Sequence, residues 1–417
     1  MILLTSQTVI VIAGIAVFLL LILLLVSVLL YAKKKLTPQG EVTININEDK
    51  DITVRPGSTL LDTLSENGIY LPSACGGQGT CGTCTCQVFE GAGEILPTET
   101  GFFSRKEQQN DWRLGCQVKV RNDLKIGVPP EVLDIKKWEC EVVSNKNVAT
   151  FIKEFVVKLP EGESLNFKPG GYIQIDVPKI EVDFKNIEVE EKFREDWDKL
   201  NLWDLKMRNP EPTYRAYSMA NHPAEGNIIK LNIRIATPPW DPKKNKFKNV
   251  NPGVCSSFIF SRKPGDKVNV SGPYGEFHIK ETDNEMVYIG GGAGMAPLRS
   301  HIFHLLKTEK SGRKISYWYG ARSKREIFYE QEFRELEKQF PNFSFHIALS
   351  DPQPEDNWDG HTGFIHSVVE KEYLSKLDEP EEIEYYLCGP PLMNDAVFKM
   401  LDELGVPDEM IDFDDFG

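Results

Sequence analysis

Positive charge is in short supply in this chain. Across 417 residues, 48 Lys and Arg face 62 Asp and Glu, a formal net charge of −14. A nucleic-acid partner would require a basic face to neutralise phosphates, so none is expected. There is no internal repeat and no long low-complexity tract, which sets aside solenoids and linker arrays. The opening MILLTSQT contains no Lys or Arg. A secretory signal would begin with a basic region and carry only about 7–15 apolar residues after it. Cysteine is sparse too: of eight, four crowd into the twelve residues CGGQGTCGTCTC, Cys75 to Cys86.

What is present begins with the run VIVIAGIAVFLLLILLLVSVLL, Val9 to Leu30, broken only by Gly14 and Ser27. About 20 apolar residues at about 1.5 Å each span a hydrocarbon core, so a retained single-span anchor is expected. The basic run Lys33-Lys34-Lys35 follows it and places the C-terminal bulk in the cytoplasm by the positive-inside rule. Structural disulfides are improbable there, so clustered cysteines should bind metal or do redox work. The span carries no ionisable residue, and intramembrane ion paths are generally lined by polar or charged groups. Any ion translocation would lie in other chains.

Apolar residues make up 41% and charged residues 26%, enough for packed cores in two to four domains. Four segments are expected. Residues 1–35 form the anchor. Residues 36–130 read as a compact α+β unit: strands VTININ and ITVR around Glu48-Asp49-Lys50-Asp51, then a helix opened by Ser58 and Thr59 and closed by Gly68. The cysteine loop follows, and Pro129-Pro130 ends the unit. Residues 131–282 are strand-rich (FIKEFVVKL, GYIQIDV, IIKLNIRIA, KVNVSG, FHI), as in an antiparallel barrel or sandwich. A charged interruption, Glu181 to Pro212, reads as a solvated insertion or a docking surface. In residues 283–417 strands alternate with helices, which implies a parallel sheet covered on both faces.

Each soluble unit carries chemistry. Cys75, Cys81 and Cys84 fall at C-x5-C-x2-C among four glycines, and Cys116, expected at a strand start, is a fourth thiolate candidate. This suits a [2Fe–2S] cluster, with zinc the alternative; structural zinc usually pairs two short knuckles, and only one short pair exists. Cys86, two residues past Cys84, shares its face and reads as a bystander. In Arg215-Ala216-Tyr217-Ser218 an arginine, an aromatic and a hydroxyl could reach a phosphate, a ring face and a ring nitrogen. Gly253-Val254-Cys255-Ser256-Ser257 puts small residues at a helix start, where exposed N–H groups suit a pyrophosphate. Gly290, Gly291, Gly292, Gly294 and Pro297 form a strand–turn–helix phosphate turn with proline in place of the third fingerprint glycine. Cys388, Gly389, Pro390 and Pro391 end a late strand; Cys388 reads as a site residue or as an ordinary buried cysteine. After the second strand of this unit, Arg322-Ser323-Lys324-Arg325 could hold a 2′-phosphate, although Asp351 ends the third strand; the residues leave NADH and NADPH open.

The five-residue first gap in the cysteine loop resembles hydroxylase-type ferredoxins. RAYS followed by GVCSS and GPYGEF, the turn GGGxGxxP and C-G-P-P resemble the ferredoxin–NADP reductase superfamily. The whole order, with RAYSMAN, IATPPW, CGPPLMN and the ending DDFG, resembles the F-subunit family of bacterial sodium-translocating NADH:quinone oxidoreductases. That resemblance implies a multidomain fold: a transmembrane helix, a β-grasp ferredoxin domain, an antiparallel β-barrel FAD domain and an α/β parallel-sheet NAD domain. It implies a [2Fe–2S] cluster on Cys75, Cys81, Cys84 and Cys116. FAD would lie on Arg215, Tyr217, Ser218, Gly253 and Ser256, with Phe416 covering it, and NADH on the phosphate turn and the C-G-P-P element. Ser218 and Cys388 would stand at the site of hydride transfer. The implied activity is NADH oxidation through FAD, with single electrons leaving by the cluster. They would pass to other membrane subunits and to quinone, coupled to sodium export at the bacterial inner membrane. A reductase feeding an oxygenase shares the domain order but ordinarily lacks the hydrophobic span. A non-catalytic anchored electron carrier would not need the phosphate turn.

Overall fold

The computed structural model describes residues 2–36 and 40–414. The first element is a helix, Ile2–Leu36, whose stretch Val9–Ala32 is long and apolar enough to cross a membrane. Its apolar side chains from Val9 to Tyr31 are exposed, as a lipid-facing surface would be. The chain divides by contacts into two compact units, residues 1–71 with 77–134, and residues 72–76 with 135–417.

The smaller unit is built on a five-stranded sheet. In spatial order the strands are Lys50–Val54, Val42–Ile46, Leu124–Gly127, Thr85–Glu90 and Trp112–Leu114. Val42–Ile46 pairs in parallel with Leu124–Gly127, while the other neighbours are antiparallel. The first hairpin turns through Asn47 and Glu48, both left-handed, so Lys50 and Asp51 belong to the second strand rather than to the turn expected there. Helix Leu60–Glu66 opens where its sequence says: Thr59 Oγ1 accepts the Asp62 N–H at 3.0 Å, a cap worth about 1 kcal/mol. Leu60, Leu61 and Leu64 then bury against the sheet. Cys116 differs from expectation, lying in a turn after Trp112–Leu114 and not at a strand start.

In the larger unit six antiparallel strands form a barrel sheet in the order Thr213–Ser218, Tyr172–Val177, Lys267–Tyr274, Lys136–Ala149, Ile152–Lys158 and Ile228–Arg234. The edges meet where Met219 bridges Leu231 and the Ala220 N–H donates to the Lys230 carbonyl at 2.7 Å, closing the sheet on itself. Phe277 to Ile279, expected as a strand, is irregular; Phe277 instead stacks on the buried His301 ring. The charged interruption is ordered and half interior: Ile180–Asp183 pairs with Lys206–Asn209 around helix Glu191–Lys199. Val182, Phe184, Phe193, Trp197, Leu202 and Met207 all join the barrel core. Most of its charged side chains are exposed while its apolar side chains pack into the core, so it is no loose solvated loop.

The remainder of this unit is a six-stranded parallel sheet. Its order is His361–Thr362, Phe343–Leu349, Ile315–Ala321, Met286–Gly291, Glu384–Cys388 and Ile411–Asp414. Successive residues alternate between its faces. Met286 and Tyr288 enter one hydrophobic cluster, and Val287 and Ile289 enter the other, beneath helices on opposite sides. All carboxyl ends lie at one edge, where open α/β sheets bind ligands.

Candidate redox site

At the cysteine loop Gly76, Gly77, Gly79 and Gly82 all hold positive φ, 66°, 82°, 75° and 72°, a backbone path that side chains would strain. Cys84 and Cys116 are buried and joined by a thiol hydrogen bond, and the Gly115 N–H donates to the Cys84 carbonyl at 2.7 Å. The Cys116 thiol beside it and burial push Cys84 far above the ordinary thiol range. Gln117 Nε2 donates to Cys116 Sγ at 3.6 Å, and Cys81 Sγ lies 3.1 Å from Thr83 Oγ1. Cys75 sits on the segment Pro72–Gly76, which belongs with the larger unit. Among the described residues no group of three or more His, Cys, Asp or Glu is placed to hold a single metal ion. A mononuclear zinc site needs such a group, whereas a two-iron cluster takes its four thiolates two per iron. The Cys84–Cys116 pair fits one iron of such a cluster. Cys86 is fully buried in the next strand, its thiol pushed up to about 12 by burial.

On strand Thr213–Ser218 the guanidinium of Arg215 donates Nη1 to the Tyr214 carbonyl at 2.7 Å and to Thr213 Oγ1 at 3.1 Å. It forms no ion pair among the described residues, so a phosphate would meet an unclaimed charge. Tyr217 shares its face, two residues on, and its hydroxyl bonds the buried Cys255 thiol. Gly253 begins helix Val254–Ser261 without any side-chain cap, leaving its first N–H groups for an outside acceptor. The Ser256 hydroxyl is already engaged, accepting from the Ala236 N–H at 3.1 Å and donating to the Gly253 carbonyl at 3.2 Å. Any anion contact from Ser256 would thus come from its backbone. An uncapped helix start and an arginine without a carboxylate partner fit the pyrophosphate of FAD.

The phosphate turn follows strand Met286–Gly291 and leads into helix Met295–Phe303, with Pro297 in the first helical turn, where a missing N–H costs nothing. Gly294 is the decisive glycine. A Cβ there would lie 2.0 Å from the Cys388 carbonyl oxygen and 2.7 Å from the Gly389 nitrogen. The turn and the C-G-P-P element are therefore pressed backbone to backbone. A Cβ on Gly389 would meet the Met393 side chain at 2.2 Å and the Gly291 nitrogen at 3.3 Å, and Pro390 stands just before helix Pro391–Glu403. Cys388 is fully buried and pairs with Gly290 on one side and Asp414 on the other.

Two residues of the site owe their place to partners far away in the sequence. Asp414 ends the unforeseen strand Ile411–Asp414, and its Oδ2 accepts the Ser218 hydroxyl at 2.5 Å across 196 positions. Arg299, on the helix after the phosphate turn, is buried and donates to the Ala220 carbonyl at 2.7 Å, Glu225 at 2.6 Å and Glu332 at 2.6 Å. Together with Ser300 Oγ, which donates to the Asn221 carbonyl at 2.8 Å, it ties the segment after Ser218 to the NAD sheet. An isolated I-D-F-D alternation was the one hint of the last strand itself. Phe416 lies outside the described residues.

Three family models match in the same order: a 2Fe-2S iron-sulfur cluster binding domain over residues 44–121, an oxidoreductase FAD-binding domain over 203–279, and an oxidoreductase NAD-binding domain over 288–399. The F subunit of the Na(+)-translocating NADH-quinone reductase of Psychrobacter arcticus is 55% identical over 408 residues, 97% of this chain and 98% of that protein. Its counterpart in Neisseria gonorrhoeae is 54% identical over 407 residues, 98% of this chain and 99% of its own. The chain belongs to the F-subunit family of Na(+)-translocating NADH-quinone reductases. In fold this chain is similar to an Amycolatopsis cytochrome P450 reductase, with TM-score 0.61 and 24% identity over 90% of this chain and 98% of that one. The ferredoxin reductase of carbazole 1,9a-dioxygenase is similar too, with TM-score 0.58 and 25% identity over 91% and 99%. As a member of the F-subunit family this chain is an oxidoreductase with iron–sulfur, FAD-binding and NAD-binding domains.

Proposed function

We propose that this chain is the electron inlet of a sodium-translocating NADH:quinone reductase, held at the bacterial inner membrane by Val9–Ala32 with its domains in the cytoplasm. Family membership carries the activity. The observation that carries the site is the Gly294 turn pressed against Cys388–Gly389, with Ser218 held by Asp414 at the neighbouring strand end. Bound FAD and a [2Fe–2S] cluster supply the conversion of a two-electron hydride into single electrons.

The residues have separable tasks. The turn Gly290–Pro297 would bind the NADH pyrophosphate on backbone N–H groups, and Gly389 and Pro390 would line the nicotinamide end. Arg215 and the uncapped helix start at Gly253 would hold the FAD phosphates, and Tyr217 would flank the ring. Ser218, donating its proton to Asp414, keeps its oxygen lone pairs free to accept from a bound group. Cys75, Cys81, Cys84 and Cys116 would hold the cluster, the last two forming one of its two thiolate pairs. Electrons would leave for partner subunits and quinone. The lysines after the span favour the cytoplasmic orientation.

The test separates the two halves of the reaction. Cys116→Ala should keep NADH-dependent ferricyanide reduction by the full chain while losing cluster absorbance and quinone reduction by the assembled complex. Cys86→Ala should keep the cluster. Cluster absorbance surviving in Cys116→Ala or Cys75→Ala would refute the ligand assignment. An oxygenase-feeding role has only the shared architecture of the solved reductases behind it, and the anchor helix argues against it.

A further inference from the structure

NADH and NADPH differ only by a phosphate on the adenosine 2′-oxygen, so selection must occur where that oxygen lies. In a dinucleotide-binding sheet this is beyond the carboxyl end of the strand after the phosphate turn. There an acid accepts from a free 2′-hydroxyl, or an arginine holds a 2′-phosphate. Here that strand is Ile315–Ala321, paired in parallel with Met286–Gly291 on one side and Phe343–Leu349 on the other. Beyond it stand Arg322, Ser323, Lys324 and Arg325, three cations and a hydroxyl that by residue type would suit a phosphate.

Each of them is occupied. Lys324 Nζ donates to the Asp356 carbonyl at 3.2 Å, and its N–H to the Asp356 carboxylate at 3.1 Å. Arg325 is ion-paired with Asp196 and lies 3.7 Å from Glu326. Ser323 is buried. Arg322 donates Nε to Asp351 Oδ2 at 3.1 Å, and this pair stands open, with side chains 76% and 52% exposed; Lys324 is exposed too but is tied to Asp356. Asp351 is held beside Arg322 from the third strand: its N–H donates to the Arg322 carbonyl at 2.8 Å, and the Ser350 N–H to the Ala321 carbonyl at 3.0 Å.

We propose that Asp351 selects NADH: its carboxylate accepts from the 2′-hydroxyl, oriented by Arg322, and repels a 2′-phosphate. The acid arrives from the third strand, which is why the run after the second strand reads as a phosphate cradle. An exposed Arg–Asp pair is weakly held, so Arg322 can turn toward a phosphate. The dianion would then lie beside Asp351, with the other two cations already bonded elsewhere. This rests on the reading of the chain as an NADH dehydrogenase.

The test compares the full chain and its Asp351→Asn variant, using calorimetric dissociation constants for ADP-ribose and 2′-phospho-ADP-ribose alongside ferricyanide reduction by NADH and NADPH. The native chain should prefer ADP-ribose, and the variant should lose about tenfold or more of that preference, one strong charge contact. Adding Arg322→Ala should abolish the gain in 2′-phospho-ADP-ribose binding. Unchanged discrimination in Asp351→Asn, or a gain that survives Arg322→Ala, overturns the proposal. Discrimination that behaves as expected in a chain that oxidises no NADH would uphold it and contradict the functional reading instead.

Discussion

Removing the guanidinium of Arg299 should be among the costliest single changes in the larger unit. Its side chain is 3% exposed, and it answers Glu225, 19% exposed, and Glu332, 38% exposed. It also lies 4.0 Å from the Phe303 ring centroid. Breaking a buried ion pair by deleting one partner costs about 3–5 kcal/mol, because the other charge stays buried and unpaired. Glu225 keeps Lys230 Nζ 3.6 Å away, so only the lower end of that range, about 3 kcal/mol, applies to it. Glu332 can turn to water and adds at most about 1 kcal/mol, and the stranded Ala220 carbonyl adds about 1 kcal/mol. These losses overlap, so Arg299→Met should cost about 3–4 kcal/mol. Arg299→Lys keeps the charge but not the fork, and about 2 kcal/mol is expected. Urea unfolding of the detergent-solubilised full chain, read by flavin release, checks this through the midpoint, since a multi-unit chain has no single unfolding free energy. At an m of about 2–3 kcal/mol per M the Met variant should shift it down by about 1–2 M. Adding Glu225→Gln should restore about 1 kcal/mol by removing a buried carboxylate left with only the longer Lys230 contact. A midpoint shift below about 0.3 M in Arg299→Met, or no rescue by Glu225→Gln, would refute the reasoning.

Two further outcomes are expected. Gly294→Ala forces a Cβ to within 2.0 Å of the Cys388 carbonyl oxygen; backbone must move, so the KM for NADH should rise about tenfold or more while FAD content holds, and an unchanged KM would contradict the close approach. Burial holds the His301 imidazole down at about 3, against about 6.5 in the unfolded chain. The unfolded state therefore binds the extra proton between those values. Stability is complete above about pH 6.5 and falls with acid by at most about 1.4 kcal/mol per pH unit; His301→Gln should flatten the slope between about pH 6.5 and 5.

What could be read in the sequence was local. The long apolar N-terminal helix, the Thr59-capped helix and the β–α alternation after Glu285 each follow from periodicity and caps within one window, and the structure has all three. The cysteine spacing and the glycine turn named the chemistry because backbone geometry there leaves few residue choices. The segment from Ile180 to Asn209 misled because its charges outnumber its anchors, yet Phe193 and Trp197 sit four apart on one helix face and are fully buried. The Ser218–Asp414 bond and the Arg299 network join residues 196 and 74–79 positions apart, and no window of sequence holds both ends. The same holds for Asp351, whose meaning depends on lying beside Arg322 in space.

The central claim is that hydride taken from NADH leaves this chain as single electrons through a cluster closed by Cys116. Anaerobic addition of NADH to the purified full chain, followed by visible absorbance and low-temperature EPR, tests it most directly. The account predicts loss of flavin absorbance together with the paramagnetic signal of a reduced [2Fe–2S] cluster, and loss of the signal alone in Cys116→Ala. Flavin that bleaches without any cluster signal in the native chain, or a signal that persists in Cys116→Ala, would contradict it.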